Sequence, residues 1–390
     1  MLDRAKNLLQ PSHRSGVPPF MVMDVVAAAA RREAQGQRII HMEVGQPSAP
    51  PPAKAIAAAR AALDEAALGY TETLGINSLR RRIARAYSEW HGLDLDPARI
   101  VVTTGSSAAF ILAFLAAFEA GDRVAVPLPG YPPYRHILSA LGCEAVGIET
   151  TAATRWAIDG ETLLAQHRVR QLKGVIVGSP ANPSGTMMTA SALADLIARA
   201  GEAGITVISD EIYHGLDYAF RAECAARFSS DAIVINSFSK YFCMTGWRIG
   251  WMVVPPSLLR PVERLQQNLA ISVPTLSQIA AEAAFEGREE LENVRRGYEE
   301  NRRLLLEGLP QAGLDTFLPA DGAFYLYADV SRFCDDSFAF ASLMLQEAGV
   351  AVTPGVDFDP QRGRRYLRLC YAGLRADMQE AIERIGHFLR

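Results

Sequence analysis

Lys240 sits in NSFSKYFCMTGWRIG (236–250), with Ser237 and Ser239 just before it and Arg248 eight residues after it. A primary amine can capture an aldehyde and later move a proton. Two hydroxyls, and a guanidinium returning across a turn at Gly246, can grip a phosphate beside that amine. Four other stretches carry groups that suit the same ligand. TTGSSAAF (103–110) places Ser106 and Ser107 behind Gly105 at a predicted helix start, where free N–H groups and the positive dipole end favour a phosphate. Tyr131 in PLPGYPPY (127–134) can stack on a ring face. Asp210 in SDEIYH (209–214) can keep a ring nitrogen protonated, so that the ring withdraws electrons. Asn182 in SPANPSGT (179–186), together with Tyr213, can donate hydrogen bonds to a ring oxygen. The set describes one ligand with three parts: a phosphate, a heteroaromatic ring and a reactive aldehyde.

Singly, each residue has a plainer reading. A lysine after a strand is usually a solvated loop residue, an Asn-Pro is commonly a turn, and Gly-Ser-Ser is commonly a helix cap. What sets these apart is where the surrounding elements deliver them. Seven short runs rich in β-branched residues read as strands: RIVVTT (99–104), DRVAVP (122–127), CEAVGIE (143–149), KGVIVGSP (173–180), ITVISDE (205–211), DAIVINSFS (231–239) and WRIGWMVVP (247–255). Helical patterns lie between them, including 106–120 and 190–203. Near-continuous apolar strands separated by helices predict a largely parallel sheet covered on both faces. The last strand follows its predecessor closely enough to be an antiparallel neighbour. In such sheets ligands bind beyond the carboxyl ends of the strands, and that is where Asn182, Asp210, Tyr213, Ser237, Ser239, Lys240 and Tyr131 fall.

The fold class predicted is therefore α/β: a large domain with a mostly parallel seven-stranded sheet, plus a smaller α+β domain. The smaller domain is read from a long charged helix near 285–308, GAFYLYADV (322–330), a helix near 337–348, RRYLRLCYA (364–372) and a final helix over 376–389. The expected division is an N-terminal arm and part of the small domain over 1–45, a large domain over 46–285, and the C-terminal small domain over 286–390. The arm holds PSHRSGVPPF and then a helix from about Met21 to Gln35, expected to pack on another element.

With 390 residues, two domains are expected, and a net charge of −4 offers no attraction to nucleic acid or an anionic membrane. Arg80, Arg81, Arg82 and Arg85 are read as a solvated helix face. Five scattered cysteines argue for a reducing compartment, and no cluster suggests a metal. MLDRAKNLLQPSHRS lacks the apolar centre of a signal peptide, and no apolar run is long enough to span a bilayer. A cytoplasmic location is expected.

These motifs resemble those of the class I/II aminotransferases, the fold-type I enzymes that use pyridoxal 5′-phosphate. SFSKYFCMTGWRIG (237–250) is similar to that family's lysine signature, NPSG (182–185) to its Asn-Pro-x-Gly, and SDEIY (209–213) to its strand-end aspartate and tyrosine. The family's ring-stacking and phosphate positions match Tyr131, Ser106 and Ser107. Two further likenesses reach toward the ends of the chain. GYTETLGINSLRRRIA (69–84) resembles a segment whose tyrosine, here Tyr70, reaches the phosphate of a partner subunit, which implies a homodimer. YLRLCYA (366–372) resembles the segment whose arginine, here Arg368, clamps the substrate α-carboxylate. Strand alternation puts Arg368 on the face opposite Leu367 and Leu369. Gly45, in VGQP, matches a backbone position beside that carboxylate.

The resemblance implies a Schiff base between the cofactor and Lys240, proton transfer by Lys240, and ping-pong transfer of an amino group from an L-amino acid to a 2-oxo acid. Arg368, Asn182 and Gly45 would hold the substrate. Ser107 stands where one aspartate-specific branch has a lysine, and SGVPPF (15–20) and GAFYLY (322–327), through Phe20 and Phe324, are candidates for an apolar side-chain pocket. The expected donor is neutral, aliphatic or aromatic. A carbon–sulfur β-lyase on the same scaffold shares the cofactor motifs and is the alternative. A non-catalytic, effector-binding regulator is a more distant one.

Overall fold

The structure is a computed structural model that describes residues 10–65 and 67–390. Seven strands make one sheet in the spatial order Ile100–Thr103, Gly250–Val253, Ile233–Ser237, Thr206–Asp210, Gly174–Gly178, Arg123–Leu128, Glu144–Glu149. The five from Ile233–Ser237 to Glu144–Glu149 pair in parallel, while Gly250–Val253 runs antiparallel to both of its neighbours. This is the arrangement expected from the sequence. Consecutive strand residues feed two different cores, because side chains alternate across a strand. Val175, Val177, Val207 and Val234 face one side, and Ile176, Ile208, Ile233 and Ile235 the other. The second side is covered by helices Gly105–Ala117, Pro132–Ala140 and Pro256–Leu269 through Phe110, Phe114, Leu138 and Val262. The first is covered by helices Asn77–His91, Ala190–Glu202 and Thr275–Ala284 through Leu79, Ile83, Leu193, Leu196, Ala280 and Ala281.

A three-stranded antiparallel sheet, Thr353–Pro354, Tyr366–Cys370 and Tyr325–Asp329 in spatial order, forms the smaller α+β part with helices Ser337–Glu347 and Arg375–Phe388. The 24-residue helix Arg288–Gln311, about 36 Å long at 1.5 Å per residue, leads into it. Strand Ile40–His41 pairs in parallel with Val350–Ala351, linking a segment before residue 46 to Val350–Ala351. The arm's helix, Met21–Glu33, is docked as well: Asp357 accepts hydrogen bonds from the backbone N–H groups of Met21 (3.4 Å) and Val22 (3.3 Å). Met1–Leu9, within the N-terminal stretch expected to lack a signal-peptide core, lies outside the described residues.

Two local expectations differ from the structure. The helix expected to reach residue 120 ends at Ala117, because Phe118 adopts an extended backbone and buries its ring. The arginine cluster is only half solvated. Arg81 and Arg85 are exposed, but Arg80 donates to the carbonyls of Ile100 (2.9 Å) and Ala98 (3.0 Å), and the Arg82 guanidinium lies 4.3 Å over the Phe285 ring. Long stems let these side chains cover apolar surface while the charge finds carbonyl or aromatic partners. All five cysteines are free, and no helix among the described residues is long and apolar enough to cross a membrane.

Candidate active site

Gly178, Asp210 and Ser237 are the last residues of three adjacent strands, and the segments that follow bring Asn182, Tyr213, Ser239, Lys240 and Arg248 to one cavity of about 200 Å³. Its lining includes Gly45, Ser106, Ser107, Tyr131, Asn182, Tyr213, Ser239, Lys240, Arg248 and Arg368. Three predicted residues stand apart from this wall. Asp210, nearly fully buried, accepts a hydrogen bond from the Tyr134 hydroxyl and one from the Ile212 N–H at 3.2 Å. Ser237 turns its hydroxyl to Ser239 (3.0 Å) and to the Ile249 carbonyl (3.3 Å), so it braces the serine that lines the cavity. Tyr70 is 83% exposed and does not reach the cavity of its own chain.

The end expected to take a phosphate is built by backbone as much as by side chain. Helix Gly105–Ala117 has no side-chain cap from Thr104, which leaves its first N–H groups free for an anion. Arg248 takes the left-handed conformation (φ 49°, ψ 55°), uncommon for a residue with a side chain. One of its guanidinium nitrogens donates to the Thr245 carbonyl at 2.9 Å, and the group packs onto Gly105. A Cβ at Gly105 (φ 72°) would lie 2.7 Å from that guanidinium, so the cradle exists only with glycine there.

At the opposite end, Arg368 is 2% exposed and held from several directions. It donates to Asn182 Oδ1 (3.0 Å), to Thr353 Oγ1 (3.2 Å) and to the Glu43 carbonyl. The Tyr325 and Phe358 rings both pack against its guanidinium, at 4.5 and 4.8 Å. Strand register confirms the face: Arg368 pairs with Tyr327 and Cys370 with Tyr325, while Leu367 and Leu369 join the core. A guanidinium fixed in this way is suited to a carboxylate.

Between the two ends, Lys240 Nζ donates to the Gly45 carbonyl at 2.6 Å. Burial pushes its pKa down to about 8, and Arg368 and Arg248 push the same way against Cys370 and Asp210. Burial raises Asp210 to about 6, with the Tyr134 hydroxyl, the Ile212 N–H and Lys240 pulling back toward the carboxylate. A nucleophilic amine and a strand-end carboxylate both poised near neutrality mark a reactive centre.

The sequence reading missed two tyrosines. Tyr134 is the hydroxyl on Asp210, and Tyr325 hydrogen-bonds Tyr213 oxygen to oxygen at 2.8 Å. The nearest clue to Tyr134 is its spacing of three from Tyr131 at the start of a helix, which sets the rings edge to face with centroids 5.3 Å apart. Of the two phenylalanines named for a side-chain pocket, Phe20 lines the cavity. Phe324 does not: it is fully buried among Tyr213, Tyr298 and Tyr325, and period-two alternation gives the cavity to Tyr325 instead.

Residues 37–385 match the family described as aminotransferase class I and II. The chain belongs to the class I and II aminotransferases. It is 49% identical over 380 residues to the valine–pyruvate aminotransferase of Mycobacterium tuberculosis, covering 96% of this chain and 97% of that one. The crystal structure of an aminotransferase from Mycobacterium tuberculosis superposes with a TM-score of 0.95 at 48% identity, over 98% and 99% of the two chains. Aspartate aminotransferase from Thermus thermophilus with maleate superposes with a TM-score of 0.91 at 31% identity, over 97% and 100%.

This aminotransferase uses pyridoxal phosphate, and its own residues fit that cofactor. The uncapped helix start with Arg248 suits a phosphate, the Asp210 carboxylate suits a ring nitrogen that must stay protonated, and the depressed Lys240 amine suits an aldehyde. It transfers amino groups between amino acids and 2-oxo acids.

Proposed function

We propose that this aminotransferase takes its amino group from a neutral amino acid, an aliphatic one such as valine foremost, and passes it to a small 2-oxo acid such as pyruvate in a ping-pong cycle. The supporting observation is the make-up of the cavity wall. Phe20, Val22, Met23, Val44 and Ile212 supply apolar surface, and among the described lining residues the cations are only Lys240, Arg248 and Arg368. With Lys240 and Arg248 committed to the cofactor and Arg368 to the α-carboxylate, no cation is left for a second carboxylate among this chain's described lining residues. The likeness to a valine–pyruvate aminotransferase supports the same choice. Initial rates with valine, alanine, leucine, phenylalanine and aspartate, each against pyruvate, test it. Neutral donors should lead, and a clear lead for aspartate would overturn the assignment.

When bound, pyridoxal phosphate supplies an electron-withdrawing ring that stabilises negative charge on the carbon losing its proton. The chain supplies the rest. Lys240 holds the cofactor covalently through its amine and afterwards carries the proton. Ser106, Ser107, Ser239 and Arg248 grip the phosphate, with Ser237 bracing Ser239. Tyr131 covers the ring, Asp210 faces its nitrogen, and Asn182 and Tyr213 face its oxygen. Arg368, with Asn182 and Gly45, orients the substrate carboxylate.

The functional unit in this reading is a cytoplasmic homodimer, divided as the sequence suggests into an arm over 1–45, a large domain over 46–285 and a small domain over 286–390. Tyr70 would reach the partner's phosphate. Its exposure supports this, as does the company of Leu68, Leu269 and Ile271, exposed apolar side chains on segments tied by Thr275 Oγ1 donating to the Gly69 carbonyl (2.6 Å). Lys240→Ala and Tyr70→Ala should each impair activity alone. Mixing the two dissociated variants should restore part of it, because a hybrid dimer has one site with both residues intact. Failure to complement in a verified hybrid would place Tyr70 outside the partner's site.

A further inference from the structure

We propose that Tyr325 is a positioning residue that aims both ends of the active site, fixing the proton direction of Tyr213 and the plane of Arg368. The inference rests on the assignment of Tyr213 to the cofactor's ring oxygen and of Arg368 to the substrate carboxylate.

The first half follows from counting protons. Tyr213 and Tyr325 are both buried, and their hydroxyl oxygens are 2.8 Å apart. Burial pushes both phenols up from their ordinary range, so each keeps its proton and the pair holds two. One proton lies between the oxygens and the other must go elsewhere. The Tyr325 hydroxyl makes no other hydrogen bond among the described residues, and it is wedged against the backbone of Gly45, where a Cβ would lie only 1.7 Å from it. Both side chains line the cavity, but the Tyr325 hydroxyl is the one packed against the Gly45 backbone; if Tyr213 donated to Tyr325, the Tyr325 proton would have no acceptor among the described residues, and an unsatisfied buried donor is costly. The favoured arrangement has Tyr325 donating to Tyr213, which leaves the Tyr213 proton free for the cavity. A hydroxyl that accepts one hydrogen bond also becomes a better donor of the next.

The second half is steric and electrostatic. The Tyr325 ring centroid lies 4.5 Å from the Arg368 guanidinium carbon and the Phe358 centroid 4.8 Å from it, so the two aromatic contacts restrict the plane in which Arg368 offers its N–H groups. The same side chain thus touches the group that faces the cofactor and the group that faces the substrate. Gly45 is bound into the arrangement, because any side chain there would displace the phenol.

The holoenzyme can be tested by titrating the visible absorbance band of its bound cofactor with pH. A hydroxyl donating to the ring oxygen favours the deprotonated form of the chromophore and lowers the midpoint. Tyr325→Phe removes only the hydroxyl, weakens Tyr213 as a donor, and should raise the midpoint by roughly 0.5–1 pH unit, with KM little changed. Tyr325→Leu also removes the ring and should raise KM for the amino acid by about three- to thirtyfold. A midpoint in Tyr325→Phe that is unchanged or lowered overturns the proposed direction, whatever becomes of the leucine variant. If the wild-type band does titrate and Tyr213→Phe raises its midpoint, such a result sinks this inference alone. If Tyr213→Phe leaves the midpoint in place, the underlying assignment of Tyr213 fails and the inference falls with it.

Discussion

Lys240→Ala should reduce transamination by at least the roughly 10²–10⁴-fold that a positioned acid–base group contributes, and by more, because the proposed reading has the same amine hold the cofactor. Single-turnover measurement with valine checks this, and near-normal turnover would remove Lys240 from its role. Its environment gives the prediction a pH signature. Burial and the two arginines lower the amine from its ordinary 10.5 to about 8. Only the free amine is a nucleophile, and its fraction rises as pH climbs through the pKa. Capture of pyridoxal phosphate by the cofactor-free protein should therefore accelerate through about pH 8. An acceleration centred near 10 would mean that Lys240 lies in a water-like environment.

The second large effect is expected at Asp210. In the proposed reading this buried carboxylate faces a ring cation, and removing one partner of such a pair costs about 3–5 kcal/mol, or roughly 10²–10⁴-fold in rate. Asp210→Ala should show that loss in kcat, and Asp210→Glu should recover part of it. Tyr134 supplies a finer test. Its hydroxyl favours the charged form of Asp210 and so lowers the pKa that burial raises. Tyr134→Phe removes that help, Asp210 protonates at higher pH, and the acid limb of the kcat/KM profile should move upward. An unmoved limb would show that Asp210 does not control it.

Much of this site was legible in the sequence because a parallel sheet turns order along the chain into position in space. Gly178, Asp210 and Ser237 end neighbouring strands, so residues just beyond them had to meet. The strands themselves were visible because burial on both faces demands runs such as GVIVG and IVINS. What stayed hidden depends on contacts between distant segments. Tyr134 lies 76 residues from Asp210, and Tyr325 lies 112 from Tyr213. No local pattern shows which of several tyrosines will aim a hydroxyl at which partner. Phe324 and Tyr325 illustrate the limit: GAFYLY pointed to the right strand, but the choice of face needed the register against Tyr366–Cys370. The left-handed backbone of Arg248 was equally out of reach, since propensity disfavours it and only its fit against Gly105 explains it.

The most direct measurement is an absorbance spectrum of the holoenzyme before and after adding valine with no 2-oxo acid present. The expected result is stoichiometric conversion of the visible cofactor band to that of the amino form, with one equivalent of 2-oxo acid released and no ammonia. A band that persists while ammonia and a 2-oxo acid accumulate from a cysteine conjugate would instead identify elimination as the chemistry. No response to any amino acid would contradict the assignment of this cavity as the active site.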